Sequence, residues 1–142
     1  LAATVVAVLG ALVLLGALVT PASTLKDLAQ DVTAAPGYHG WTVEDTTAGP
    51  FDVPGIAPPV QIMDIYKPNP DPADIGLPIG STIRLFSWRT AADAEAFAAG
   101  FVSDGSYVHR CGEQAGRFRV VVALPQVDSP ELESAVESSN NC

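Results

Sequence analysis

The chain has 142 residues, and its formal charge of −9 comes entirely from Lys26 onward, where all 7 basic and 16 acidic residues lie. An acidic domain repels phosphate, so nucleic acid is excluded as the expected partner and attraction to anionic headgroups is disfavoured. The length left after the apolar start suits one ordinary domain and not two.

Residues 1–20 are apolar or small, with no charged, His, Asn or Gln side chain. A helix over Leu1–Val19 covers roughly 28 Å, close to the hydrocarbon thickness of a bilayer. A secretory apolar core is shorter, about 7–15 residues, although Thr20-Pro21-Ala22 has the small residues of a cleavage site. The length predicts a single transmembrane helix. Ala3, Ala7, Gly10, Leu14 and Ala17 fall on one face of it, where small side chains admit a neighbouring helix. The same stripe fits equally well the ordinary Ala and Gly content of a spanning helix. Other transmembrane helices and the lipid bilayer are the expected partners.

Residues 21–59 read as a membrane-proximal helix and a Pro/Gly-rich arm. Thr24 with Asp27 has the form of a capping box, and Leu25, Leu28, Ala29 and Val32 supply one apolar face. Nine Pro and Gly residues between Ala34 and Pro59 leave room for one short strand around Trp41–Glu44.

Residues 60–142 read as a small α+β domain. Val60–Tyr66 has strand composition, and Ser81–Arg89 is a second strand, apolar on both faces and therefore central. Between them, residues 67–78 form a Pro/Asp loop. Thr90 with Asp93 starts a helix whose Ala94, Phe97, Ala98 and Phe101 make a core face. Ser106–Cys111 and Arg117–Leu124 read as a hairpin around Gly112–Gly116. Ser129-Pro130-Glu131 opens a last helix, with Leu132, Ala135 and Val136 buried. The order β-β-α-β-β-α predicts helices on one face of the sheet, as in a ferredoxin-like or related sandwich.

Cys111 and Cys142 predict a disulfide in an oxidising compartment. That places the C-terminal domain on the extracytoplasmic side of the cell membrane. His109-x-Cys111 is half a metal site, with only His39 and Met63 left to complete it, and a disulfide would remove its sulfur. Asn69, Asp71 and Asp74 lack the pattern of a calcium loop. No metal or other cofactor is expected. With no G-x-S-x-G elbow, P-loop or dinucleotide fingerprint, the chain reads as a non-enzyme. Arg110, Arg117 and Arg119 gather on the expected hairpin, either as a docking edge for an acidic partner or as charges that guard an edge strand.

The composition, rich in Ala, Val, Gly and Pro with Arg over Lys, resembles that of proteins from high-GC actinobacteria. In layout (Leu1–Val19, the acidic domain and the Cys111/Cys142 pair) the chain resembles the single-span accessory subunits of the actinobacterial respiratory supercomplex of cytochrome bcc and cytochrome oxidase. The resemblance implies an assembly or stabilising role without a redox centre. The alternative is a membrane-tethered sensor or capture module, whose site would lie in the Pro/Gly arm or the Pro/Asp loop.

Overall fold

A computed structural model describes residues 23–67, 82–101, 105–123 and 130–142. The apolar run, with its stripe of small residues, lies outside them, as does the Pro/Asp loop beyond Lys67. Among the described residues no helix is long and apolar enough to cross a membrane.

The elements are α1 (Leu25–Ala34), a 3-10 turn (Pro36–Tyr38), β1 (Thr42–Asp45), β2 (Gln61–Tyr66), β3 (Thr82–Trp88), α2 (Ala91–Ala99), β4 (Tyr107–Gln114), β5 (Arg117–Ala123) and α3 (Pro130–Glu137). The five strands form one antiparallel sheet in the order β1-β2-β3-β5-β4. The α+β class is as expected. The one-sided cover is not: helices lie on both faces.

Alternation along β2, β3 and β5 explains why. Met63, Ile65, Ile83, Leu85, Val121 and Ala123 point to one face, where they meet Leu25, Leu28 and Val32 of α1 with Leu132 and Val136 of α3. Ile62, Phe86, Trp88, Val120 and Val122 point to the other, where Ala94, Phe97 and Ala98 of α2 cover them. Each central strand is therefore apolar on both sides and needs two covers. β1 and α1 belong to this same sheet and core, so the arm of residues 21–59 is continuous with the domain in its described part. Its middle packs Phe51, Val53 and Ile56 onto the α2 face.

Local chemistry sets the element ends. The Thr24 hydroxyl accepts from the Asp27 amide at 3.2 Å, and the Asp27 carboxylate accepts from the Thr24 amide at 2.6 Å, a reciprocal capping box. Thr90 caps α2 by accepting from the Asp93 amide at 3.2 Å, without the reciprocal backbone bond. The β4–β5 turn is tighter than the five residues Gly112–Gly116 suggest. Ala115 and Gly116 alone make it, with φ of 51° and 70°, while a bulge between Arg110 and Glu113 takes up the irregularity. A two-residue turn of this hand suits Asn-Gly. Ala115→Asn should therefore raise stability by about 0.5–1 kcal/mol, because Ala carries a Cβ penalty in the left-handed region. A denaturation midpoint that falls instead would refute that turn assignment.

Candidate functional site

β5 is central and nearly all apolar, yet it carries Arg119 on the α1 face, opposite Ser87. Arg119 is only 2% exposed. Its Nη1 donates to Ser23 Oγ at 2.9 Å, and its Nη2 to the Ser23 carbonyl at 2.6 Å. A further bond from Nη1 reaches the Asn141 carbonyl, while Nε has no partner among the described residues. Burial lowers the guanidinium pKa from its ordinary value, and the Asp27 charge opposes that shift. One buried cation thus ties together the start of α1, the centre of the sheet and the C-terminal tail.

The three hairpin arginines do not share one surface. Arg110 lies on the α2 face and pairs with Glu95 at 2.8 Å, both exposed. Arg117 donates to the Gly116 carbonyl at 3.1 Å. Arg119 faces inward and is unavailable to an outside partner. Its position in an apolar central strand is the signal that sequence reasoning passed over. Such a charge must be buried and bonded.

Around this junction the tail is held further. Asn141 Nδ2 donates to the Asp31 carboxylate at 2.7 Å, and Ser139 Oγ donates to the same oxygen at 2.5 Å. Cys111 and Cys142 form the expected disulfide, with Cα atoms 4.6 Å apart. His109 lies beside it, its ring parallel to Tyr107 at 6.4 Å.

On the opposite face is a groove of about 570 Å³. Phe51, Phe86, Phe97 and Phe101 line its apolar side, and Glu44, Asp64, Tyr66 and Arg84 its polar side. Arg84 grips Asp64 with two parallel bonds, Nε to Oδ1 at 2.7 Å and Nη2 to Oδ2 at 2.8 Å. That hydrogen bonding raises the Arg84 pKa. The Glu44 charge raises that of Tyr66. An apolar wall with a few fixed polar groups is the usual make-up of a small-ligand site. Sequence reasoning did not bring these residues together, because they come from β1, β2, β3, α2 and the arm.

Comparison of the chain with protein-family models, with curated proteins and with solved structures finds no match.

Replacing Arg119 by Leu leaves the Ser23 and Asn141 carbonyls without their donor and should cost about 1–3 kcal/mol. Hydrogen exchange should accelerate at residues 23–25 and 139–142 and stay slow in β3. Uniform acceleration across the domain would argue against a local junction.

The acidic groups at this end also set an acid limit. Asp27 is held below its ordinary value of 3.8 by the Thr24 backbone and side-chain bonds. Asp45 is likewise held below 3.8, by its bonds to Thr47. A depressed folded-state pKa contributes stability that is complete above the unfolded value and is lost as pH falls through the folded one. The denaturation midpoint should stay level in respect of these groups down to about pH 4 and fall below it. Asp27→Asn should flatten part of that fall.

Proposed function

We propose that this chain is a non-catalytic accessory subunit, held in the cell membrane by residues 1–20 with its domain on the extracytoplasmic side. It binds and stabilises a larger bacterial membrane protein complex. The respiratory supercomplex is the assembly its layout resembles. The observation that carries the reading is the Arg119 clamp. Only Pro21 and Ala22 separate the apolar run from Ser23, and Ser23 is already bonded to the centre of the sheet. A domain seated this close to its anchor has little of the reach a capture module needs, and much of the fixed orientation a structural subunit needs. The disulfide supports the extracytoplasmic side.

Purification in mild detergent through a C-terminal tag should bring down membrane partners in fixed stoichiometry. Recovery of a lone monomer would sink the reading. Gly10→Leu with Ala7→Leu should weaken that association if the small-residue face is where another helix packs.

The aromatic groove favours a second reading, a tethered module that takes a small, mainly apolar ligand. Its four Phe rings and the Asp64–Arg84 pair would supply grip and orientation. Chemical-shift changes confined to these residues on adding a ligand pool would support it over the first.

A further inference from the structure

His109, Cys111 and Cys142 bring one imidazole nitrogen and two sulfurs within 4.8 Å of one another. The geometry points to a redox-gated site for a thiophilic divalent cation, Zn(II), that forms when this disulfide is reduced. The inference does not depend on the accessory role or on any partner.

Tetrahedral zinc with sulfur at about 2.3 Å and nitrogen at about 2.0 Å sets its ligand atoms roughly 3.5 Å apart. The bonded sulfurs are nearer than that and all three ligand atoms lie within 4.8 Å, so reaching the spacing takes the parting of the two sulfurs and side-chain rotation about a site whose backbone already brings them together. The decisive point is that the tail does not rely on the disulfide for its position. The Cys142 amide donates to the Ser139 carbonyl at 3.3 Å. Gln114 Nε2 donates to the Cys142 carbonyl at 3.3 Å. The Asn141 amide donates to Ser139 Oγ at 3.0 Å, and its side chain to Asp31. Arg119 holds the Asn141 carbonyl. After reduction these bonds keep the Cys142 thiol beside Cys111. The Tyr107 ring lies parallel to that of His109, with ring centres 6.4 Å apart. The bulge between Arg110 and Glu113 sits at Cys111 itself, a place where a strand commonly re-aims a side chain.

The chemistry balances with a dithiol reductant. The donor supplies two electrons and two protons and becomes a disulfide, while Cys111 and Cys142 become thiols. Zn(II) then displaces both thiol protons to solvent and takes neutral His109 as a third ligand, with water in the fourth position. In the oxidised chain neither sulfur is a thiolate, and the site does not exist. Occupancy therefore reports the redox state of the compartment.

The test uses the full chain in detergent micelles, reduced with a phosphine that is then removed under nitrogen, and Co(II) as the probe before displacement by Zn(II). One Co(II) per reduced chain is expected, with thiolate charge-transfer and tetrahedral ligand-field bands, and none per oxidised chain. His109→Ala should weaken uptake by at least about 10-fold, since losing even an outer-shell partner of a metal ligand costs that much and His109 is a ligand itself. Cys111→Ser with Cys142→Ser should abolish it. No uptake by the reduced chain overturns the proposal, and so does uptake unweakened by His109→Ala. Circular dichroism of the reduced chain is the companion measurement, because unfolding on reduction would equally remove the held tail on which the site depends.

Discussion

Trp88→Ala is expected to cost the domain about 3–5 kcal/mol, the range for removing a large buried aromatic. Trp88 is 1% exposed and sits among Phe51, Phe86 and Phe97, with ring centres 4.7 to 6.2 Å away. Its indole Nε1 donates to the Ala57 carbonyl at 2.9 Å. One residue thus fills the core under α2 and pins the arm between β1 and β2 to the sheet. Trp88→Phe keeps most of the packing and leaves only the carbonyl without a donor, so its cost should be smaller, about 1–2 kcal/mol. Denaturant titration of both variants gives the check. If the Phe variant were as damaged as the Ala variant, the hydrogen bond to the arm would outweigh the ring packing. Typical domains have only about 5–15 kcal/mol in hand, so Trp88→Ala should bring this one near the edge of folding at 37 °C.

Cys142→Ser is the second large effect. The bridged residues are 31 apart in sequence. Opening a loop of that size returns about 3–4 kcal/mol of chain entropy to the unfolded state. The hydrogen bonds of the tail remain in the folded state, so the damage falls on the unfolded reference and not on native packing. Three conditions should therefore coincide in midpoint: Cys142→Ser, Cys111→Ser and the reduced wild-type chain. A Cys111→Ser variant much less stable than the other two would place the cost in the buried environment of Cys111 instead.

Much of this fold was legible because local signals agreed with it. Thr24 and Asp27, like Thr90 and Asp93, are helix starts whose chemistry is complete within four residues. Val60–Tyr66 and Ser81–Arg89 match β2 and β3 to within a residue or so at each end. The two Cys could be paired because there are no others. Legibility ended where information is non-local. Whether α1 and α2 cover the same face depends on the hand of connections, and no residue type encodes that. A hint was present in β3, since a strand apolar on both sides needs cover on both sides. Arg119 shows the opposite error. Grouped by sequence distance it joins Arg110 and Arg117; strand pairing puts Arg110 on the other face of the sheet, and although Arg117 shares the face of Arg119, only Arg119 lies far enough from the turn to be covered by Ser23 and Asn141. The groove was the least legible, because its lining comes from six separate stretches of chain.

The ties between the two ends of the chain bear on how it is made. Asp31 bonds to Asn141 across 110 residues, Ser23 to Arg119 across 96 and Gly37 to Glu131 across 94. The antiparallel sheet can zip from neighbours, β2 onto β3 and β4 onto β5, but α1 finds its final cover only when α3 and the tail arrive. The earliest helix of the described domain is thus the last to be fully secured. High contact order of this kind slows folding and prolongs exposure of the Leu25–Leu28–Val32 face during synthesis. Without residues 131–142 the α1 face would keep its contact with the sheet but lose the Leu132 and Val136 cover and the Asp31–Asn141 bond, so α1 should be the first element to loosen when that segment is missing or late.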